Sequence, residues 1–442
     1  MRATAGSYAP DVGHNDAPTL TAMLAAAEDA SPVDAVEAVT RELGRALHAR
    51  SVSFLIADLG GRALVRLAHI PFDPSGVSAG GARDGDDGAG SRRRGDDVAT
   101  LVPFDGGPQE QALRMQAVKV RADAGTWTVW APVTERGEAV GLLELVLPEE
   151  PDRRDLAEIS RIAHVLGFVV IANRRHTDLF EWGQRTTPFN LSAEIQRRLL
   201  PAAFTCEAGA FTLSGWLEPA ASIGGDTFDY SLARHLLHFS VTDAMGHGVA
   251  SALTATLGVS SLRNSRRRGH DLIAQADAAN AAVAEHAGTK STFVTAVLGR
   301  LDLPTGACEL VNAGHLPPLL VRDGAVHPVQ LPRNFPLGMV AGATFSAGTV
   351  TLVPGDRLVI LTDGMRERRA ARLDLDAELR AVTALHPREA ARTLADAVLR
   401  VAGPTLADDA TLLIVDWYGG HGRPRRSIGG ADPARASAAL PD

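Results

Sequence analysis

Four aspartate-bearing segments stand where apolar, β-rich runs begin or end. Leu236–Thr242 runs into Asp243, and Leu358–Thr362 runs into Asp363-Gly364. Phe211–Trp216 leads to Gly224-Gly225-Asp226-Thr227-Phe228-Asp229, and Asp408-Asp409-Ala410-Thr411 opens the run Leu412–Trp417. Taken singly, such segments are turns, because aspartate and glycine bend the chain through local hydrogen bonds and tolerance of positive φ. Taken together they point elsewhere: strands that repeatedly deliver an aspartate to their ends gather carboxylates at one edge of a sheet. Two unit charges about 4 Å apart repel by about 4 kcal/mol at an effective dielectric of about 20. A bound divalent cation relieves that repulsion, and oxygen-only ligands point to magnesium or manganese.

The remaining reactive residues offer less. Cys206 and Cys308 sit far apart with no partner spacing, so neither a disulfide framework nor a zinc site is suggested, and neither has the phosphate-loop context of a cysteine nucleophile. The net charge of −8 argues against a nucleic-acid partner, which needs a basic surface. The run Arg423-Pro424-Arg425-Arg426 reads as part of a solvated, Gly-rich tail. No signal-peptide order opens the chain, and the longest apolar run, near Val165–Ala172, is too short to span a bilayer, so a cytoplasmic location without membrane partner is expected.

Elements able to position such a site follow from length and periodicity. With 442 residues, 45% hydrophobic and 22% charged, the chain fits two folded domains plus linkers. After a flexible start over 1–19, Ser31 and Pro32 read as helix N-cap and first helical position, with Val36, Val39, Leu43 and Leu47 at helical spacing. Ser51–Asp58 and Ala63–His69 form a hairpin around Gly60-Gly61. Residues 75–97, with Arg92-Arg93-Arg94, carry almost nothing to bury and read as a disordered insertion. Trp127–Val133 and Ala139–Val146 restore strand character, and from Asp155 a helical stripe runs to about Gln184, is interrupted at Thr187-Pro188 and resumes over Phe189–Leu200.

The order helix, hairpin, strands with Ala131-Pro132-Val133 and Gly141-Leu142-Leu143, then long helix resembles a GAF domain over about 20–175. This resemblance implies an α/β sensor that takes a small ligand or mediates dimerisation. The later segments, in order, resemble the SpoIIE-type branch of the PP2C (PPM) phosphatases. They are Ile195-Gln196 with Leu199-Leu200-Pro201; Gly224 to Asp229; Asp243-Ala244-Met245-Gly246-His247-Gly248; Asn312-Ala313-Gly314-His315; Pro336-Leu337-Gly338; Asp363-Gly364 with Glu367; and Asp408-Asp409-Ala410-Thr411. Together the resemblances imply an α+β protein: a GAF-like sensor domain at 20–175, a helical linker at 176–201, a PP2C-like α-β-β-α sandwich at 202–418 and a disordered tail at 419–442.

Carried over residue by residue, the phosphatase resemblance implies two Mn2+ or Mg2+ ions. Asp243 would bridge both and the Ala244 carbonyl would help hold one; Asp363 and Asp408 would bind the second. Either Asp226 or Asp229 would complete the site, while Asp409 would occupy the neighbouring polar position. Two metals polarise phosphoryl oxygens and activate a water for in-line displacement, so no covalent phosphoenzyme is required. His247 suits either proton donation to the leaving oxygen or a structural bond, and His315 is expected to be structural. Thr227 and Ala244 depart tolerably from the family pattern, and no clear counterpart exists of the arginine that grips phosphate in eukaryotic PP2C enzymes. The implied substrate is a phosphorylated STAS-type anti-anti-sigma protein of bacterial partner switching; the alternative is a non-catalytic scaffold that retains the fold. Leu179, Phe180, Trp182, Leu191, Ile195 and Leu199 on the linker are expected to pack against a second copy or against the phosphatase core.

Overall fold

The computed structural model describes residues 20–72, 91–94, 97–218, 224–287, 292–366, 373–403, 406 and 408–421. The readings of residues 1–19, of 75–90 and 95–96, of Glu367 and of the tail beyond 421 lie outside these.

The N-terminal part is one seven-stranded antiparallel sheet. Its strands are β1 (Ser51–Ala57), β2 (Ala63–Pro71), β3 (Ser91–Arg94), β4 (Asp97–Pro103), β5 (Lys119–Asp123), β6 (Thr126–Glu135) and β7 (Glu138–Leu147), in spatial order β3-β4-β2-β1-β7-β6-β5. Helices α1 (Leu20–Asp29) and α2 (Ala35–Ala46) and the long α4 (Arg153–Asn173) cover one face, where Val39, Leu43, Phe54, Val129, Leu143, Ile162 and Leu166 form the core. The short α3 (Pro108–Met115) covers the other face over Leu55, Leu64, Trp130 and Leu142. Asp152 opens α4 with a reciprocal capping box to Asp155, which satisfies two end N–H groups.

Two expectations are corrected here. Ser91–Arg94 is a strand, not loop, because it pairs with β4 and because Arg92 lies over the Trp182 ring and donates to the Gly183 carbonyl at 3.1 Å. The long helix also does not continue to Gln184. It ends at Asn173, whose side chain turns back to the Val169 carbonyl, while the Thr177 hydroxyl accepts from the Leu179 N–H and starts α5 (Leu179–Gln184) afresh. Phe180 and Trp182 of α5 pack into the N-terminal core. Helix α6 (Leu191–Leu199) follows, capped by the Asn190 side chain; Leu199 packs against the C-terminal part while Leu191 is 64% exposed.

The C-terminal part is a sandwich of two antiparallel sheets. One carries β10 (Thr227–Leu232), β11 (Leu236–Ala244), β12 (Val294–Asp302), β13 (Ala307–Ala313) and β16 (Gly348–Thr351), in that order. The other runs β15-β14-β17-β18-β9-β8, from Ala325–Pro328 and Leu319–Arg322 through Arg357–Leu361, Ala410–Trp417 and Phe211–Glu218 to Thr205–Glu207. Alternating inward residues meet between them: Phe228, Phe239, Val241 and Val297 against Phe211, Leu213, Leu358, Ile360, Leu413 and Val415. Helices α7 (Gly248–Arg267) and α8 (Leu272–Ala287) cover the first sheet, and α9 (Leu375–Ala381) and α10 (Pro387–Ala402) the second. This is the expected α-β-β-α order. Arg357, 2% exposed, is held in the second sheet by Asp416 at 2.7 Å and by the carbonyls of Val382 and Leu385.

Candidate metal centre

The site lies where both sheets end on the same side. Strand β11 finishes at Asp243-Ala244, and β10 starts beside it at Asp226-Thr227, with Thr227 opposite Thr242 and their hydroxyls 2.5 Å apart. From the second sheet, β17 ends at Leu361 and runs through Thr362 into a 3-10 turn, Asp363–Arg366, while β18 is entered through Asp408-Asp409.

Glycines permit the crowding. A Cβ on Gly225 would lie 2.6 Å from the Ala244 carbonyl oxygen and closer still to the Ser251 hydroxyl. On Gly364 it would clash with the Asp409 carbonyl oxygen, and on Gly224 it would meet the Asp409 and Asp408 carboxylates at 3.0 and 3.3 Å. These glycines are required by close approach rather than by backbone angle.

The carboxylates are then fixed by short bonds. Thr362 donates to Asp226 at 2.7 Å and itself accepts from the Thr411 N–H at 2.9 Å. Ser251, from the first turn of α7, donates to the Ala244 carbonyl at 2.9 Å. Asp409 accepts from the Gly224 N–H at 3.1 Å and from Gln196 at 2.6 Å. The Gln196 amide also donates to the Asp226 carbonyl at 2.8 Å, so α6 touches the site directly. Gln196 is 3% exposed and sits in the Ile195-Gln196 motif, the one signal that could have singled it out.

Asp226 and Asp243 face other carboxylates. Burial first, then Asp243 and Asp409, hold Asp226 well above the ordinary carboxylate range. Burial, Asp363, Asp408 and Asp409 push Asp243 up to about 7. Asp408 is raised as well, first by burial and then by Asp363, with its own bond from the Asp409 N–H working the other way. Among the described residues no ion pair to a basic side chain engages Asp226, Asp243, Asp363 or Asp408, and carboxylates so placed are a charge distribution that a divalent cation neutralises. Asp226, Asp243, the Ala244 carbonyl, Asp363 and Asp408 carry oxygen atoms, the hard donor type that such an ion prefers. Among the described residues no three acidic, histidine or cysteine side chains close into a ready-made ligand cage.

Asp229 is placed differently. It lies three residues after Asp226, inside β10, and is bound by Arg263 at 2.8 Å and Arg266 at 3.0 Å, both from the C-terminal half of α7. Arg263 also donates to the Leu199 carbonyl, joining β10, α7 and the end of α6. Of the two residues left open by the sequence, the structure thus brings Asp226 to the carboxylate group and engages Asp229 elsewhere. His315 bridges the sheets, with Nδ1 2.7 Å from the Thr295 hydroxyl and Nε2 donating to the Leu361 carbonyl at 3.1 Å; burial pushes it down to about 4. His247 is exposed at the N-cap of α7, makes no capping bond, and bears on Asp408 through its charge.

Residues 233–418 match the family model of stage II sporulation protein E, SpoIIE. Protein IcfG of Synechocystis is 23% identical over 255 residues, covering 50% of this chain and 40% of that protein. The phosphoserine phosphatase RsbP of Bacillus subtilis is 24% identical over 174 residues, covering 36% of this chain and 40% of that one. Among solved structures, the RsbU and RsbW domains of Rv1364c from Mycobacterium tuberculosis are 26% identical, with a TM-score of 0.43, 51% of this chain covered and 64% of that chain. The chain therefore spans about two fifths of the length of the curated relatives it matches. No helix among the described residues is long and apolar enough to cross a membrane.

Proposed function

We propose that the chain is a metal-dependent protein serine/threonine phosphatase, with residues 202–418 as its catalytic domain and 20–175 as a GAF-like regulatory domain. The observation that carries the reading is the Asp243 carboxyl, pushed up to about 7 by burial and by Asp363, Asp408 and Asp409 at the convergent ends of two sheets. The RsbP and SpoIIE likenesses support the reaction class.

Two divalent ions, Mn2+ or Mg2+, would supply charge neutralisation at the phosphoryl group and activation of the attacking water. In this reading Asp226, Asp243, the Ala244 carbonyl, Asp363 and Asp408 hold them. Thr362 and Ser251 orient two of those donors, and Gln196 fixes the backbone of Asp226 through α6. Asp229, in its arginine pair, positions β10 rather than binding metal. His247, exposed at the N-cap of α7, would in this reading serve the leaving oxygen.

The substrate in this reading is a phosphorylated STAS-type anti-anti-sigma protein, in keeping with the Rsb names among the relatives. The GAF-like domain would govern activity through α5 and α6, tied to each other by Arg185 and Arg198 with Glu181 and Glu194 and ending on Gln196. Phosphate release from a phosphorylated STAS protein, measured with manganese and with excess chelator, tests the proposal. Manganese-dependent release abolished by chelation is expected, and undiminished release in chelator removes the mechanism.

A further inference from the structure

The two domains meet over a polar seam along one edge of the second C-terminal sheet. Strand β8 is that edge, and two of its N–H groups are taken up by the turn between β6 and β7. The Glu207 N–H donates to the Arg136 carbonyl at 2.9 Å, and the Thr205 N–H to the Glu138 carboxylate at 2.7 Å. Arg388 donates to the Gly137 carbonyl at 2.8 Å, and Arg114 of α3 pairs with Glu389 of α10 at 3.2 Å. Strand β8 lies beside the first half of β9, with Glu207 opposite Thr212 and Thr205 opposite Ser214, so these contacts are set back from the metal centre.

A second turn, between β1 and β2, reaches the other end of the same ribbon. Strand β9 ends at Glu218, which faces Ala410 of β18, the residue directly after Asp408-Asp409. In the sequence Glu218 leads through residues 219–223 to Gly224 and Asp226, and the Gly224 N–H donates to Asp409 at 3.1 Å. Arg62 meets Glu218 in a two-pronged pair, its Nη1 and Nη2 lying 3.2 and 2.7 Å from the two carboxylate oxygens. The same guanidinium lies over the ring of Trp216, two residues earlier on the same face of β9, and a Cβ on Gly61 would stand 3.3 Å from that ring. The turn is itself tied down. The Asp58 carboxylate accepts from the Arg62 and Ala63 N–H groups at 2.7 and 2.8 Å, and the Leu59 N–H donates to the carbonyl of Gln184, the last residue of α5, at 3.1 Å. The Gln184 side chain returns a bond to the Ala57 carbonyl at 3.1 Å. A partly exposed ion pair contributes little to stability, but a fork-to-fork pair on a fixed turn fixes direction.

Given the phosphatase reading, in which the aspartates hold metal, we propose that Arg62 is a positioning residue for the metal centre. Through Glu218 it fixes the end of β9, and with it the adjoining entry of β18, which carries Asp408, and the chain that leads to Asp226. Arg62 touches no aspartate of the centre; it acts through Glu218 alone. A shift of α5 or of the β1–β2 turn is thereby passed to the metal edge of the second sheet, by a route separate from Gln196 of α6.

The test compares the full chain with Arg62→Ala, Arg62→Lys, Glu218→Ala and the Arg62→Ala/Glu218→Ala double variant. Mn2+ affinity is measured by electron paramagnetic resonance, and melting is followed in excess chelator. Arg62→Ala and Glu218→Ala should each weaken Mn2+ binding roughly 3- to 10-fold, the range of couplings carried through one intervening contact. The double variant should bind no more weakly than Glu218→Ala, and Arg62→Lys, which keeps the charge without the fork, should fall between wild type and Arg62→Ala. Melting in chelator should stay within about 2 °C of wild type, because the pair is partly exposed. A merely structural role would instead lower the melting temperature and leave Mn2+ affinity unchanged, which overturns the proposal. So does a loss on Arg62→Ala that is as large in the Glu218→Ala background as in wild type. Failure of the wild type to bind Mn2+ would remove the phosphatase reading and this role together, whereas tight wild-type binding unaltered in Arg62→Ala removes this role alone.

Discussion

Replacing Asp243 by asparagine should stabilise the metal-free protein while disabling it. Asp243 moves from an ordinary 3.8 to about 7 in the folded chain, so folding favours its protonated form. The ionised carboxylate therefore costs stability, by an amount that grows as pH rises from about 4 to about 7 and then levels off. At 1.36 kcal/mol per unit the full cost is about 4 kcal/mol near pH 8 and about 2 kcal/mol near pH 5.5. Allowing for solvent relaxation around a group that is not fully enclosed, about 2–4 kcal/mol near pH 8 is a working figure. Asparagine keeps the shape and discards the charge. In excess chelator near pH 8 the C-terminal domain of Asp243→Asn should melt roughly 5–10 °C above wild type, and the gap should shrink by about half near pH 5.5. Saturating manganese should reverse the order, since the ion binds only the folded wild type tightly. A variant that melts at or below wild type in chelator near pH 8, or a gap independent of pH, refutes the electrostatic account of the site.

Other consequences are as specific. Gln196→Ala removes the bonds from α6 to Asp226 and Asp409 and should raise the manganese concentration needed for half-maximal turnover 10- to 100-fold, roughly the effect of losing an outer-shell partner; unchanged manganese dependence would exclude α6 as a positioning element. Gly225→Ala drives a methyl group into the Ala244 carbonyl and Ser251, and should cost about 1–3 kcal/mol together with most activity, read by melting and by phosphate release. His315 is held down to about 4, so its contribution is fully present above about pH 6.5 and is lost as pH falls toward 4, by up to about 3 kcal/mol. His315→Gln should flatten that acid limb in pH-dependent melting of the manganese-free protein; an unaltered limb would show that His315 does not titrate there.

Some of this was legible in the chain and some was not, for physical reasons. The convergence of Asp226, Asp243, Asp363 and Asp408 could be anticipated because each follows or precedes an apolar strand, and a sheet edge is where strand ends collect. The close approaches at Gly224, Gly225 and Gly364 were visible as motif glycines but not as contacts. The engagement of Asp229 by arginines was not legible: Arg263 and Arg266 lie 34 and 37 residues from it, and only the packing of α7 on β10 brings them to it. The stop of α4 at Asn173 was hidden because apolar periodicity continued through Leu179 and Phe180 while side-chain bonds of Asn173 and Thr177 broke the backbone ladder. Strand β3 and the seam around Trp216 depend wholly on tertiary contacts, among them Arg92 on Trp182 and Arg388 on the Gly137 carbonyl, which no local pattern encodes.

The central claim is that these aspartates hold divalent metal for phosphoester hydrolysis, and equilibrium binding of Mn2+ followed by electron paramagnetic resonance tests it most directly. The account predicts two bound ions per chain in the wild type, with loss of at least one in each of Asp243→Asn, Asp363→Asn and Asp408→Asn and turnover falling in parallel. Wild-type stoichiometry and affinity in all three variants would contradict it.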